Sequence, residues 1–470
     1  MQLLQSRYNT YKLYITTRER VNIMPREAHT RLPQPVFHEP NFGEEVSTPD
    51  PTGFETQHPS DNAVYNEVKD LLKKDVVSFE KSRGADDDLL QLEHAYGSHG
   101  AQLVQKIKNA GKIIFHAFGD SGASDARKYF NELRVADQVT MDCSRSDDAN
   151  RPAFIFHLGD VVYSFGEAQY YYDQFYEPFR NYPAPIFAIP GNHDSFVVPG
   201  TPAAREPLKI FHRNFCADAP VITSEAGSLH RTAMTQPGFY FTLDAPFVRI
   251  IGLFSNALED PGLISSQGGH WHGVPDFQLN FLTAQLKRIK RENYQGAVLL
   301  ATHHPPFSYA PPPNMGSGGN HSSSSAMLRE IDKICDREGV YPHAFLAAHA
   351  HNYQRYTRIV EFAGKERDVP FIVCGDGGHN VNPLVRGKKG QGPHEPHMGS
   401  NVDYLEFQPA LKTKELLLEK YDDINYGYLR IHVDKKEVKI GFHQVGAGTL
   451  AQSRFDMVTV DLASHSMVAN

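Results

Sequence analysis

The run KIIFHAFGDSG, residues 112–122, sets a pattern that returns in AFIFHLGDVVY at 153–163 and PIFAIPGNHD at 185–194. In each, a short apolar stretch rich in Ile, Phe and Val breaks off abruptly into Gly and polar side chains. Short β-branched or aromatic runs bounded by Gly or Pro read as buried strands. AVLLATHHPPF at 297–307 and AFLAAHAHNY at 344–353 follow the same grammar. Helical stretches intervene. From Asp276, Leu279, Leu282, Leu286 and Ile289 recur on one face until Gly296, and Met327, Leu328, Ile331 and Ile334 mark another. Strand and helix in alternation predict an α/β sheet with parallel members.

Outward from this centre the texture changes. YLRIHV, a turn at Asp434–Glu437 and VKIGFH alternate with period two, as a hairpin does: Leu429, Ile431 and Val433, then Val438, Ile440 and Phe442. FYFTLDAPFVRIIGLF (239–254) also reads as antiparallel, so the sheets are expected to be mixed. Upstream, residues 25–60 read as an irregular arm. A helix is expected from about Asn62, with Val64, Val68, Leu71, Leu72 and Val76 on one face. A second helical stretch follows Asp88, is interrupted at Gly97 and stops at Gly111, a natural residue after a helix end. The expected organisation is an N-terminal arm and helical extension over 1–111, one α/β domain over 112–462 and a tail at 463–470. YAPPPNMGSGGNHSSSSA (309–326) is expected to form a loop over the HHPP segment, and YYYDQFYEPF (170–179) a helix packing aromatics into the core. Met24 offers a second plausible start.

Composition narrows the function. The chain has 470 residues, 40% hydrophobic and 22% charged, with net charge −8. That balance is globular, and it argues against a broad nucleic-acid-binding surface. Cys143, Cys216, Cys335 and Cys374 form no C-x-x-C pair, which excludes a zinc ribbon and argues against a disulfide scaffold. No run reaches the roughly 18 apolar residues of a membrane span. MQLLQSRYNTYKLYITTRER lacks the apolar centre of a secretory signal, so a cytoplasmic location is expected. No G-x-S-x-G, P-loop or dinucleotide fingerprint occurs.

The chemistry sits where the runs end. In an open α/β sheet, residues just past the C-terminal ends of parallel strands converge on one crevice. Five such ends supply Asp120; Asp160 with Tyr163; Asn192 with His193; His303 or His304; and His349 with His351. One Gly-Asp turn or one His-x-His pair is ordinary. Five successive ends offering only Asp, Asn, His and Tyr are not. Carboxylate, imidazole, amide and phenol donors without a thiolate suit Fe, Mn or Zn. Two ions about 3.5–4 Å apart need a bridging carboxylate and separate terminal ligands. There are donors enough for two.

GDSG, GDVVY, GNHD, ATHHP and HAH, in that order, resemble the calcineurin-like metallophosphoesterases, and within them the purple acid phosphatase branch. Gly122 and Tyr163 carry the finer likeness: most of the superfamily has His at the first position, and the purple branch has its phenolate at the second. The resemblance covers roughly residues 112–460. It implies a four-layer α/β/β/α sandwich and a binuclear phosphatase that hydrolyses phosphate monoesters by in-line attack of a metal-bound hydroxide. By the same resemblance one metal takes Asp120, Asp160, Tyr163 and His351, and the other takes Asp160 as a bridge with Asn192, His303 and His349. His303 is preferred to His304 because the family ligand stands two residues before the Pro, here Pro305. A phenolate implies Fe(III) at the first site, with Fe(II), Zn or Mn at the second. His193, oriented by Asp194, would contact the phosphoryl group or protonate the leaving group, with His304 and His321 as further substrate contacts. The substrate would be a small phosphate ester. Two other activities stay open: a phosphodiesterase or nucleotide pyrophosphatase of the same fold, and a non-catalytic metal or phosphate binder. Three departures stand out: Ala348 replaces the Gly of G-H-x-H, Pro312 and Pro313 lie where the family has substrate-contacting His residues, and the fibronectin-like N-terminal domain of the large plant members is missing. The turn GDGGHN (375–380) reads as backbone geometry, His270, Trp271 and His272 as packing, Asn256 as an ordinary strand-end residue, and His116 and His157 as buried structural residues.

Overall fold

The computed structural model describes residues 88–196, 207–255, 262–309, 324–384, 400–401 and 412–468. The helix expected from Asn62, most of the 309–326 loop with His321, and Asn256 lie outside them.

Two mixed sheets form. The first has strand order β1-β5-β6-β7-β8-β10-β9-β12-β11: β1 (Leu89–Gln91), β5 (Phe241–Ala245), β6 (Val248–Gly252), β7 (Ala297–Ala301), β8 (Ala344–Ala347), β10 (Lys365–Cys374), β9 (Tyr353–Phe362), β12 (Lys412–Asp422) and β11 (Ser400–Asn401). The second runs β16-β15-β14-β13-β2-β3-β4: β16 (Ser466–Val468), β15 (Arg454–Asp461), β14 (Glu437–Gln444), β13 (Gly427–Asp434), β2 (Lys112–Phe118), β3 (Ile155–His157) and β4 (Ile186–Ala188). β6, β7, β8 and β10 are mutually parallel, as are β2, β3 and β4. The expected hairpins form: β13 pairs antiparallel with β14 in the register Leu429 to Phe442, Ile431 to Ile440 and Val433 to Val438, and β5 pairs antiparallel with β6. Two edge strands lie beyond the limits read from the sequence. β1 precedes Lys112 and pairs with β5, and β16 occupies the expected tail and pairs with β15.

Period-two alternation assigns each strand face to a layer. On β7, Ala297, Leu299 and Ala301 join the core between the sheets, while Val298 and Leu300 join a second core with Phe281, Leu282, Leu286 and Ile331. Those last four come from the helices Phe277–Arg291 and Ser325–Glu338, which cover the first sheet. On β2, Ile113, Phe115 and Ala117 join the inter-sheet core. His116 points the other way, to Asp142 on the helix Ala126–Arg145, 2.8 Å distant. The result is the four-layer α/β/β/α sandwich. Burying each such Leu or Ile contributes about 1.5–3 kcal/mol. The helix Gly100–Ala110 ends as expected, with Gly111 at φ 71°, where a side chain would be strained.

Candidate metal centre

The parallel strands of both sheets end at one place. β2 runs into Asp120, β3 into Asp160, β4 into Asn192 and His193, β7 into His303, and β8 into His349 and His351. Asp120, Asp160 and His349 all take left-handed backbone conformations, with φ 56°, 56° and 66°. Non-glycine residues held there cost of order 1–3 kcal/mol each and persist only where neighbours over-determine them. Here the neighbours do so: Asp120 N–H donates to Gly159 O at 3.0 Å, and His379 N–H donates to Asp120 O at 2.9 Å.

The side chains form one buried web. Tyr163 Oη donates to Asp120 Oδ1 at 2.8 Å and lies 3.2 Å from His351 Nε2. The other Asp120 oxygen accepts from His349 N–H at 2.7 Å. Asp160 Oδ1 accepts from His193 N–H at 2.9 Å, and Asp160 Oδ2 lies 3.4 Å from His303 Nε2. Asn192 Oδ1 stands 3.0 Å from His303 Nε2 and 3.2 Å from His349 Nδ1. Ligand atoms of Asp120, Asp160 and His303 all fall within 4.8 Å of one another.

This arrangement calls for positive charge. His303 Nδ1–H is directed at Leu158 O, 2.9 Å away, so Nε2 is the atom that faces two oxygens, Asp160 Oδ2 and Asn192 Oδ1, with either a proton or a metal ion between them. Three acceptors cannot face one another without a proton or a metal ion among them. Burial opposes a charged imidazole, yet the Asp160 carboxylate overrides it and lifts His303 to about 9. Asp160 is lowered in turn: burial would raise it, but His303 and His193 outweigh that. The amide nitrogen of Asn192 has no hydrogen-bond partner among the described residues, while its oxygen faces the imidazoles. The donor set therefore fits a cation. Tyr163 is held well above the ordinary phenol range by burial and then by the charges of Asp120 and Asp160, so its use as a phenolate requires a strongly charged ion beside it.

Two candidates meet partners that sequence spacing does not foretell. Asp194 is one. Its carboxylate accepts N–H bonds from Asp160, Val161, Val162 and Gly191 at 2.8–3.1 Å, tying the GDVVY turn to the GNHD turn. The His193 ring is oriented by Ser164 O, 2.9 Å from Nδ1. His304 is fully buried, with Nδ1 2.7 Å from Ser255 Oγ and its ring 4.2 Å from that of His349. At position 122 no larger residue fits: a Cβ there would come within 2.5 Å of Val161 O. The phenol of Tyr163 reaches Asp120 from the neighbouring strand end instead.

Other residues at the site were not singled out by their sequence context. Gln174 brackets the Tyr163 backbone, accepting from its N–H at 2.8 Å and donating to its carbonyl at 2.6 Å. It lies in a π-helical turn, Tyr172–Tyr176, inside the expected aromatic segment. The GDGGHN turn is more than backbone geometry: the His379 ring stacks on Tyr163 with centroids 3.5 Å apart. His157 backs the carboxylates, its Nε2 2.9 Å from Ser121 Oγ. The repeated Gly in 375–378 was the available signal for His379, since such turns bring backbone close to a neighbour.

A profile of the family described as calcineurin-like phosphoesterase matches residues 94–353. No curated protein matches the chain. Among solved structures, GAP50, "the anchor in the inner membrane complex of Plasmodium", aligns at 12% identity and TM-score 0.42, over 72% of this chain and 86% of its own. PhoD aligns at 11% identity and TM-score 0.40, over 76% of this chain and 71% of its own. No helix of the described residues is long and apolar enough to cross a membrane.

Proposed function

Since the chain belongs to the calcineurin-like phosphoesterase family, we propose that it is a phosphatase of the purple acid type, acting on small phosphate monoesters through two metal ions. Asp120, Asp160, Tyr163 and His351 would hold one ion; Asp160, Asn192, His303 and His349 would hold the other. The observation that carries this reading is the set of acceptor atoms facing one another across Asp160, His303 and Asn192. Iron(III) beside the phenol, with Fe(II), Zn or Mn in the second place, follows from the donor types. Such a pair neutralises phosphate charge and can bring the pKa of bound water from 15.7 to about 7.

The chain's own residues supply the rest. Asp160, a ligand to both ions in this reading, would serve as the bridging carboxylate. Ser164 O fixes Nδ1 of His193, so Nε2, 4.0 Å from Asp160 Oδ2, is the atom left to hold a proton for the departing oxygen. His304, fully buried, backs His349.

The test is hydrolysis of p-nitrophenyl phosphate and of its bis-ester by metal-reconstituted protein. The monoester should turn over faster, and His193→Ala should slow it by roughly 10²–10⁴-fold. Faster cleavage of the bis-ester would replace this reading by a phosphodiesterase. Metal uptake with turnover of neither would leave a binding protein.

A further inference from the structure

His379 lies in the GDGGHN turn that follows β10, and among the described residues it is the ring packed most closely on the candidate phenolate. Its plane is tilted 19° from that of Tyr163, with centroids 3.5 Å apart, so it covers one face of the phenol. The His193 ring also packs on Tyr163, with centroids 4.1 Å apart and planes 38° apart. Tyr163 is thus packed by two imidazoles.

His379 is itself pinned at both nitrogens. Nδ1 lies 2.5 Å from Gly122 O, which can only accept, so Nδ1 carries the proton. Nε2 therefore accepts, and Lys128 Nζ stands 2.9 Å from it. Lys128 Nζ also lies 2.6 Å from Ser124 Oγ, which anchors it at the start of the helix Ala126–Arg145. A chain of contacts thus runs from that helix through an imidazole to the face of the phenol.

We propose that His379, locked by Lys128 and Gly122, is a positioning residue that sets the orientation of Tyr163 toward a metal ion. This deepens the reading of Tyr163 as a ligand and rests on it. Rotation about Cα–Cβ would swing the whole phenol and carry its oxygen away from Asp120 and His351. Gln174 fixes the backbone of Tyr163; His379, packed on one face of the ring, blocks that swing on its side. Partners that orient a ligand in this way typically change metal affinity 10–100-fold when removed.

The experiment loads the apo-protein with ferric iron and reads binding affinity, the visible phenolate-to-iron band and far-UV circular dichroism. His379→Ala should weaken iron binding about tenfold and displace the band, with the dichroism unchanged. Lys128→Met should do the same in part, and Lys128→Arg, which can still donate to Nε2, should restore both. Wild-type affinity and an unmoved band in His379→Ala overturn the proposal while leaving Tyr163 a ligand. If ferric wild-type protein shows no phenolate band, Tyr163 is not a ligand, and both readings fall together. Should His379→Ala not fold, the two Lys128 variants decide: equal, unshifted bands in both overturn the proposal.

Discussion

At position 348 a methyl group stands where the G-H-x-H motif would place a glycine, and the structure accommodates it. Ala348 is not among the residues in the left-handed region, so the side chain brings no backbone strain. The space is made opposite it. A Cβ on Gly119 would lie 2.5 Å from the Ala348 methyl, so the two positions can hold one methyl between them. Ala348→Gly should therefore keep full metal content and cost about 0.5–1 kcal/mol through backbone entropy alone. Gly119→Ala in the wild-type background should lose several-fold more stability, and the double variant Gly119→Ala/Ala348→Gly should recover part of it. Thermal melts of the three proteins check this, and additive losses would contradict it.

Among the elements, two buried polar links fasten sheet edges and helices, and each has a measurable consequence. His343, just before β8, stacks at 4.4 Å on His465, in the turn before β16. Burial above all holds both neutral, His343 down at about 4 and His465 at about 2. In the unfolded chain both titrate near 6.5. Below that value the unfolded state binds protons that the native state refuses, so stability falls as pH drops from about 6.5 toward 4. Each imidazole should remove about 2 kcal/mol between pH 7 and pH 5. Urea titrations at the two pH values check the sum, and His465→Phe should flatten the dependence. The second link is Arg358 on β9, fully buried and bidentate to Asp332 of the helix Ser325–Glu338 at 2.7 and 3.0 Å. Arg358→Met alone leaves the buried Asp332 carboxylate without its cation, held by Tyr341 Oη at 2.9 Å, and should cost about 3–5 kcal/mol. Adding Asp332→Leu should return much of that loss in the same melts.

These elements also show what a sequence can disclose. Each ligand candidate follows an apolar run within a few residues, so local pattern and the strand-end rule together locate it. β1 escaped that logic. Its three residues, Leu89–Gln91, sit in a stretch that reads as helix, and only pairing with Thr242–Asp244 on β5 makes them a strand. The meeting of Lys128 with His379 escaped as well. They are 251 positions apart, and no spacing rule relates residues whose meeting depends on the path of the whole chain. The partners of Asp194 are of the same kind: its carboxylate takes the backbone N–H groups of Asp160, Val161 and Val162, which no local spacing relates to it.

For the molecule as a whole, the site is a joint between layers. Asp120, Asp160 and Asn192 come from one sheet, and His303, His349 and His351 from the other. Cations bound there would tie the sheets together, so metal must stabilise the native sandwich. A ligand at a hundred times its dissociation constant contributes about 2.7 kcal/mol. Chelation should lower the melting temperature measurably, and readdition of metal should restore it. The most direct measurement of the central claim is the metal content of purified protein against that of Asp160→Asn, by mass spectrometry, with turnover of p-nitrophenyl phosphate measured on the same samples. The expected result is two ions per wild-type chain, loss of metal from both positions in the variant and no turnover. A wild-type chain that binds no metal under reconstitution, or an Asp160→Asn protein that keeps both ions and its activity, would contradict it.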